Sequence, residues 1–340
     1  GYRTAAIGKW HLGSRDEQHP NNRGFDLFYG MKAGGRDYFY NEKKSDRPGD
    51  ERNLLLNDRQ VKFEKYLTDA FSEKAVEFIN ESSQPFMMYL AYNVVHTPMQ
   101  ATDEDMAKFE GHPRQKLAAM TYALDRGVGT VIRGLKDSGK FDNTLIFFLS
   151  DNGGATTNQS SNYPLKGFKG NKFEGGHRVP YFVVWKNGIP AGKPYDGLVS
   201  SLDIFATAID AASISKTRNR LDGVSLLPYL KGKKGEPHKV LYWRKMDTRA
   251  IRSGDYKLII THGVDSVLYN IRRDPEEMNN LINKEPDLYR KLAKKLAKWE
   301  KNECIEPSWL EEGWRKITNR YHQQLMHNEI KTAQDLYKKK

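Results

Sequence analysis

Segments typical of strands and of helices alternate through the first two thirds of this 340-residue chain, and this alternation limits the possible folds more than any other feature. In order, the segments are strand 2–7, helix 66–80, strand 86–92, helix 114–135, strand 144–149, strand 179–185 and helix 202–212. The pattern predicts an α/β fold with a mainly parallel central sheet flanked by helices. Because the run 86–92 is apolar throughout, we expect a strand that is covered on both faces.

The last third of the chain has a different pattern. A stretch rich in Gly, Lys and Pro at 231–237 indicates a linker or an exposed loop. Four short strand patterns joined by tight turns follow it, and then Lys-rich helical sequence, which together predict a smaller C-terminal antiparallel sheet plus helix. The predicted domains are an α/β domain at 1–232, a small antiparallel α+β subdomain at 233–305 and a Lys-rich helical tail at 306–340.

Composition narrows the classes of protein. Lys and Arg number 55 against 43 Asp and Glu, a net charge of +12, which favours anionic partners such as nucleic acid, acidic polysaccharide or small oxyanions. Nucleic acid is disfavoured because the aromatic residues follow core periodicity and no nucleic-acid motif occurs. The single cysteine, Cys304, excludes an internal disulfide framework and a cysteine-rich zinc site. No apolar run approaches the roughly 20 residues that span a bilayer, so no transmembrane segment is predicted.

Two polar clusters follow predicted strands, at the positions where open α/β sheets bind ligands. The first contains Lys9 and His11, a cation and an imidazole that point the same way from an extended backbone. The second contains His96, and the Pro98 that follows it holds Thr97 extended. An imidazole at a strand end is placed to transfer protons near neutral pH. Taken alone, each cluster is more often structural than functional.

Two further clusters have the chemistry of ion binding. Asp151 and Asn152 follow the strongest strand, and they offer one charged and one neutral oxygen ligand above two glycines. Hard cations such as Ca²⁺ or Mg²⁺ suit these ligands better than zinc does, although an ordinary Asn-Gly turn is the alternative. Around Lys169, cations alternate with glycine directly before a strand, a pattern typical of an oxyanion cradle or of a solvated basic loop.

Together and in this order, the clusters resemble the motifs of the type I, formylglycine-dependent sulfatase family of the alkaline phosphatase superfamily. Residues 1–13 resemble the second sulfatase signature almost throughout. The other matching segments are the His-x-Pro segment at His96, the Ser-Asp-Asn-Gly-Gly turn, the segment that begins at Lys169, and the patterns at 221–228 and 268–279. The resemblance runs from residue 1 to about residue 300, and it implies the alkaline phosphatase-like fold.

The resemblance implies a sulfuric-ester hydrolase that acts on a sulfated sugar, a sulfated polysaccharide or an aryl sulfate. Lys9 and Lys169 correspond to the lysines that hold the sulfate oxygens. His11 corresponds to the base that assists the hydroxyl of the nucleophile, and His96 to the group that donates a proton to the leaving oxygen. These roles agree with the chemistry, because sulfate-ester cleavage moves negative charge onto the leaving oxygen.

The resemblance also implies a metal and a nucleophile. Asp151 and Asn152 correspond to two ligands of the active-site Ca²⁺, with Mg²⁺ the less favoured ion. The family's nucleophile is a formylglycine made in a Cys/Ser-x-Pro-x-Arg motif, and that motif does not occur in these residues. Cys304 lies near the C-terminus without the arginine, so it is interpreted as structural. We therefore expect a chain truncated at its N-terminus, with the formylglycine upstream, which is inactive by itself.

Other interpretations stay open at this point. A phosphonate or phosphate ester hydrolase of the same superfamily shares the formylglycine-and-metal design, and a non-catalytic relative that binds anionic glycans would use the same positive charge. Family habit implies a periplasmic, secreted or lysosomal protein. From position alone, the segments 36–40, 100–103 and 177–178 are candidate specificity loops. Two lysines are expected to face sulfate, and most of the others to lie in solvated C-terminal helices.

Overall fold

A computed structural model describes residues 1–214, 220–304 and 311–338 of the chain. The chain divides into two compact units, Gly1–Asp142 and Asn143–Lys340, and each unit has a sheet and buried apolar clusters of its own. In the described residues, every helix is too short or too polar to cross a membrane.

Five strands form a mixed sheet in the first unit. They are β1 (Arg3–Lys9), β2 (Leu27–Met31), β3 (Leu55–Leu56), β4 (Arg59–Gln60) and β5 (Phe86–Ala91). The spatial order is β4-β3-β2-β1-β5, in which β1 pairs in parallel with both β2 and β5. The short strands β3 and β4 add antiparallel pairs at the other edge. The parallel pairs around β1 therefore match the expectation from the alternating pattern.

Helices cover this sheet as the sequence predicts. They are α1 (Leu67–Glu81), α2 (Asp103–Ala107) and α3 (Gln115–Asp137), with short 3-10 turns at Asp16–Gln18, Pro20–Arg23 and Phe141–Asn143. In α1, the buried residues Leu67, Phe71, Ala75 and Phe78 recur every three or four positions and form one apolar face. This face explains why α1 packs against both α3 and β1.

β5 differs from its expected environment. Its side chains alternate in exposure, and Met87 and Tyr89 are 47% and 43% exposed. β5 lies at an edge of the five-stranded sheet, and Phe86 on its other face contacts Phe78 of α1 edge-on at 5.8 Å. The expectation that both faces are covered is therefore wrong for the described residues, because an apolar run alone does not give the position of a strand in its sheet.

The second unit begins with two antiparallel strands and the segment between them. Its first elements are β6 (Ile146–Leu149), α4 (Glu174–His177), β7 (Tyr181–Val184), α5 (Asp203–Ala211) and α6 (Leu227–Leu230). β6 and β7 pair antiparallel, with Leu149 opposite Tyr181. The connection between them contains only the four-residue helix α4, so no crossover helix returns the chain to the start of β6. The observed α/β fold is therefore mixed in its strand directions.

A four-stranded antiparallel sheet and three helices complete the second unit, which confirms the predicted smaller sheet with its helix. They are β8 (Val240–Lys245), β9 (Thr248–Ser253), β10 (Tyr256–Thr261), β11 (Asp265–Asn270), α7 (Pro286–Glu303), α8 (Glu312–Met326) and α9 (Asp335–Lys338). On one face of this sheet, Leu258 and Leu268 pack with Leu292 and Leu296 of α7. Cys304 follows α7 as a half-buried free thiol.

The other face of the small sheet is covered by one segment that precedes the sheet in sequence and by one that follows it. Ile259 packs there with Phe168 and Phe173, which precede α4, and with Leu325 and Met326 of α8. The described part of the predicted tail is thus built into the core of the second unit. The terminal residues 339–340 lie outside the described residues, and the domain boundaries at 232/233 and 305/306 stay a prediction.

Buried histidine in this core predicts a dependence of stability on pH. His322 of α8 is 0% exposed, and its Nδ1 lies 2.8 Å from the carbonyl oxygen of Thr318. Burial lowers the pKa of His322 to about 4 from the ordinary value of 6.5. Between these values the unfolded chain binds a proton that the folded protein does not, so the free energy of unfolding falls by about 1.4 kcal/mol per pH unit as the pH decreases.

We therefore expect His322→Gln to remove this contribution. The stability advantage of the wild type over the variant should shrink steadily from about pH 6.5 to pH 4.5. Urea unfolding at intervals across this range measures it. His112→Gln replaces an exposed histidine and serves as the control. A wild-type advantage that does not change with pH would contradict the assignment.

Candidate active site

Lys9 and His11 lie at the carboxyl end of β1. Lys9 is the last residue of the strand, and the backbone stays paired with the chain that follows β2 beyond this point. The amide of Trp10 donates to the carbonyl of Met31 at 2.9 Å, and the amide of His11 donates to the carbonyl of Lys32 at 3.0 Å. Backbone hydrogen bonds therefore fix the position from which both side chains extend.

His96 follows β5 in a loop that is held by its backbone. Its amide donates to the carbonyl of Asn93 at 2.9 Å. The hydroxyl of the buried Tyr38 lies 2.7 Å from the carbonyl oxygen of Asn93 and 2.9 Å from that of His96. The Nδ1 of His96 is 2.8 Å from the carbonyl oxygen of Thr97. Since a carbonyl only accepts, Nδ1 carries the hydrogen and Nε2 is the nitrogen that can exchange a proton.

The two histidines approach the same pair of glycines. β1 and β5 are parallel neighbours, so His11 and His96 follow strands that end at the same edge of the sheet. A Cβ on Gly34 would lie 2.6 Å from Nε2 of His11, and a Cβ on Gly35 would lie 3.4 Å from Nδ1 of His96. Adjacent residues thus contact both imidazoles. Sequence reasoning missed these glycines, and the available signal was the Gly-Gly pair before the predicted loop 36–40.

Two of the predicted specificity loops are joined to each other. The amide of Tyr38 donates to Gln100 at 2.8 Å, and the side-chain amide of Gln100 donates to Asp37 at 2.8 Å. Arg36 is buried and forms two hydrogen bonds with the carboxylate of Asp46, at 2.7 and 2.8 Å. Arg36 therefore stabilises the loop 36–40 from inside.

Asp151 and Asn152 lie in the turn after β6. The hydroxyl of Ser150 donates to the carbonyl of Asn152 at 2.8 Å, and the side-chain amide of Asn152 donates to the carbonyl of Gly153 at 3.0 Å. Donation through its nitrogen leaves the side-chain oxygen of Asn152 as an acceptor. Within residues 1–214, 220–304 and 311–338, no side chain or backbone amide is recorded as a partner of the exposed Asp151 carboxylate.

This turn is in direct contact with the segment that carries Lys169. The amide of Lys169 donates to the carbonyl of Gly154 at 3.0 Å, and the amide of Gly153 donates to the carbonyl of Gly176 at 3.1 Å. A Cβ on Gly153 would lie 1.8 Å from the carbonyl oxygen of Gly175, so only glycine fits there. The predicted oxygen ligands and the predicted sulfate-binding lysine are thus brought together.

Asn162 is a further residue of this site that sequence reasoning did not identify. Its side-chain oxygen accepts from the amide of Gly154 at 2.8 Å, and its side-chain nitrogen donates to the carbonyl of Gly167 at 3.0 Å. It therefore joins the turn after β6 to the start of the Lys169 segment. An isolated Asn in a loop carries no sequence signal for such a role.

A buried lysine anchors α4 from the small sheet. The Nζ of Lys257 lies 2.8 Å from Glu174 and 3.0 Å from Glu277, and all three side chains are nearly fully buried. Burial raises the pKa of Glu277, whereas the ammonium of Lys257 overcomes burial and holds the pKa of Glu174 below its ordinary value. The ring of His177 stacks on Trp243 at 4.5 Å, and burial lowers the pKa of His177 to about 3.

His177 is therefore a neutral packing residue. The backbone amide of Glu174 donates a hydrogen bond to the carboxylate of Glu277 at 2.6 Å, which adds a second link between α4 and the chain that follows β11. Both links fix the short helix α4, whose glycines contact the turn that contains Asp151 and Asn152 (the Asp-Asn turn). A basic loop in solvent, the alternative left open by the sequence, does not describe this segment.

The side chains of Asp151 and Asn152 have the type of ligand atom, oxygen, that suits a hard divalent cation. One carboxylate and one amide oxygen are ligands that Ca²⁺ prefers, although Ca²⁺ takes six to eight oxygen ligands in all. Over the described ranges, no group of three or more His, Cys, Asp or Glu side chains is arranged to hold a metal ion. Asp151 and Asn152 by themselves would therefore supply only part of such a coordination sphere.

Comparison with protein families agrees with this architecture. The family model Sulfatase matches residues 1–214, and the family model N-sulphoglucosamine sulphohydrolase, C-terminal, matches residues 169–302. The first match covers more than half of the chain and contains both sets of candidate site residues. The chain belongs to the sulfatase family, and the resemblance identified from its motifs is confirmed.

Individual relatives give the same result. The uncharacterized sulfatase YdeN of Escherichia coli (strain K12) is 37% identical over 276 residues, which are 72% of this chain and 47% of that protein. The N-acetylgalactosamine-6-sulfatase of Canis lupus familiaris is 30% identical, over 76% of this chain and 52% of the relative. This chain thus spans about half the length of these curated relatives.

A solved structure extends the likeness to three dimensions. The crystal structure of Ps i-CgsB in complex with k-i-k-neocarrahexaose superposes with a TM-score of 0.84 and 36% sequence identity. The superposition covers 94% of this chain and 76% of that one. The predicted α/β class with a separate small antiparallel sheet is therefore confirmed.

Close packing at Gly153 makes a testable prediction. In Gly153→Ala, the added methyl would overlap the carbonyl of Gly175, so the Asp-Asn turn must move away from α4. We expect the free energy of unfolding to fall by about 1–3 kcal/mol and the amide of Lys169 to exchange its hydrogen faster. Chemical denaturation and hydrogen-exchange mass spectrometry measure the two effects.

Gly313→Ala is the matched control, since a Cβ on this helical glycine would meet no atom within 4 Å. It should leave the exchange of the Lys169 amide unchanged and should not lower the free energy of unfolding, which helix propensity raises by up to about 1 kcal/mol. If Gly153→Ala behaved like this control, the contact between the turn and α4 would not constrain the site.

Proposed function

We propose that this chain carries the sulfate-binding and proton-transfer residues of a sulfuric-ester hydrolase that acts on a sulfated carbohydrate or an aryl sulfate. The hydrogen bond between the Lys169 amide and the Gly154 carbonyl, 3.0 Å long, carries the proposal. This hydrogen bond joins the segment of Lys169, a candidate sulfate-binding residue, to the turn of Asp151 and Asn152, which offers two oxygen ligands for a metal. Membership of the sulfatase family supports the same reaction.

In this proposal, Lys9 and Lys169 bind the non-bridging oxygens of the sulfate. His11 accepts the proton of the attacking hydroxyl, and His96 gives a proton to the oxygen that leaves sulfur. The hydrogen bond from His96 Nδ1 to the carbonyl of Thr97 orients the ring, and the imidazolium form, which carries a hydrogen on both nitrogens, gives its Nε2 proton to the leaving oxygen and becomes neutral. Because the charge on the leaving oxygen develops during cleavage, this donation stabilises the transition state more than the ground state.

Asp151 and Asn152 would hold a divalent cation, with Ca²⁺ preferred over Mg²⁺. When bound, the metal would supply positive charge to the sulfate oxygens and to the nucleophile. The nucleophile proposed for the full-length protein is a formylglycine, whose Cys/Ser-x-Pro-x-Arg motif is not found in these 340 residues. The chain alone is therefore proposed to bind its ligand without turning it over.

The proposed substrate class is a sulfated sugar or polysaccharide. The relative in complex with k-i-k-neocarrahexaose and the N-acetylgalactosamine-6-sulfatase support a carbohydrate substrate. A periplasmic, secreted or lysosomal location is proposed with it. The phosphonate or phosphate ester hydrolase and the non-catalytic glycan-binding relative are less favoured, since the two curated relatives described above are named as sulfatases.

Parallel assays on the full-length protein test the reaction class. We expect turnover of sulfate esters and little turnover of phosphodiesters or phosphonates, and Asp151→Ala should abolish activity together with stoichiometric Ca²⁺ binding. Asp196→Ala, which removes an exposed carboxylate elsewhere in the second unit, is the control. A strong preference for phosphodiesters, or a metal content unaffected in Asp151→Ala, would refute the corresponding assignment.

His96 gives a separate prediction about leaving groups. In His96→Ala, a sulfate ester of a sugar hydroxyl should be cleaved about 100-fold more slowly or worse, because its alkoxide must be protonated as it leaves. An activated aryl sulfate, whose phenolate leaves unprotonated, should lose less than about 10-fold. Steady-state kinetics with both esters measures the difference, with the exposed His112→Ala as the control. Equal losses would reject the role of His96 as the proton donor.

A further inference from the structure

Three lysines of the second unit lie close to one another, and only one of them, Lys169, has a role in the proposed reaction. Lys169 and Lys172 lie in the segment before α4, whereas Lys245 is the last residue of β8. Gly170, next to Lys169, has φ of +95°, and a Cβ at that position would lie 3.0 Å from Nζ of Lys245. The Lys245 ammonium therefore lies directly over the backbone that presents Lys169.

Electrostatic interactions connect the same three groups. Burial, together with the charges of Lys245 and Lys257, lowers the pKa of Lys172 to about 8. Burial also lowers the pKa of Lys245, and the charge of Lys169 adds to this effect. Such mutual effects require short separations, so Lys169, Lys172 and Lys245 form one cluster of positive charge.

The cluster is not neutralised by the described parts of the protein. In the part of the chain that the structure describes, no carboxylate forms an ion pair with Lys169, Lys172 or Lys245. The nearby carboxylates are already engaged, because Glu174 pairs with Lys257 and Asp247 pairs with Arg315. Like charges that packing holds close together repel one another, and a bound anion removes this repulsion.

We propose that Lys172 and Lys245 form a subsite for a second anionic group of the substrate, next to the sulfate that Lys169 holds. This inference rests on the proposed function. A sulfate ester carries one negative charge, and the proposed site already applies Lys9, Lys169 and a divalent cation to it. Two further ammonium groups match another anion better than the same one. The substrate class becomes a glycan with a second sulfate or a carboxylate close to the cleaved sulfate ester.

Kinetics with matched substrates tests this subsite in the full-length protein. Three oligosaccharides are compared at one ionic strength: one with a single sulfate, one with a second sulfate, and one with a carboxylate in its place. We expect Lys245→Gln to raise KM about 10-fold or more for the substrates with two anions, from the loss of one charge-assisted hydrogen bond. KM for the singly sulfated substrate should change less than about 2-fold, and Lys245→Arg should behave like the wild type.

Lys239→Gln removes the same charge from an exposed position at the other end of β8, about 20 Å away along the strand, and should leave both values unchanged. A loss limited to one of the two-anion substrates would identify the second group as sulfate or as carboxylate. Equal effects of Lys245→Gln on all three substrates, or no effect on any, would overturn the proposal.

Binding separates failure of the subsite from failure of the proposed function. If the full-length protein hydrolyses no sulfate ester, the proposed function fails, and calorimetric titration of this chain with the same three oligosaccharides then tests the subsite. Tighter binding of the two-anion ligands that is lost in Lys245→Gln and kept in Lys239→Gln would support it. Equal affinity for all three ligands in the wild type would overturn it.

Discussion

The second unit depends on one buried ammonium group, that of Lys257. A charge with no exposure to water is very costly unless its partners are close and well oriented, and here two carboxylates lie within 3.0 Å of it. One carboxylate belongs to Glu174, at the start of α4, and the other belongs to Glu277, which follows the small sheet. Any movement of α4 away from β10 would separate the buried ammonium from Glu174, the first of its two carboxylate partners. The cost of that state makes the two segments move as one body.

This constraint reaches the candidate site through backbone contacts. α4 contains Gly175 and Gly176, which contact Gly153 so closely that no side chain fits between them. The Asp-Asn turn is therefore supported by α4, and α4 is supported by the small sheet. In this arrangement, the C-terminal sheet is part of the structure that orients Lys169 and the oxygen ligands. That dependence gives a physical reason for the Lys169 segment to pack into the same core as β10.

The sequence predicted the local features of the site and missed those that depend on distant partners. Asp151 and Asn152 were recognisable because a strong strand pattern ends in a glycine turn, which is a property of the consecutive residues 144–154. The antiparallel pairing of β6 with β7 was not, because it depends on the path of the long connection between them. Lys245 carried no signal at all, since a lysine at the end of a strand is ordinarily solvated. Its position over Gly170 arises only when the small sheet packs against the Lys169 segment.

The lysines of the chain therefore lie in three different physical environments, and amino-acid composition does not distinguish them. Lys166 and Lys257 are fully buried and hydrogen-bonded to protein oxygens, so these two ammonium groups hold parts of the fold together and do not bind a ligand. Most lysines of α7 are exposed, and water screens them. Lys172 and Lys245 form a third group: Lys172 is half-buried and Lys245 is exposed, yet packing brings both ammonium groups close together, and no carboxylate of the described residues pairs with either. A fold keeps such a repulsive pair only at a cost, and an anionic ligand is the simplest agent that removes it.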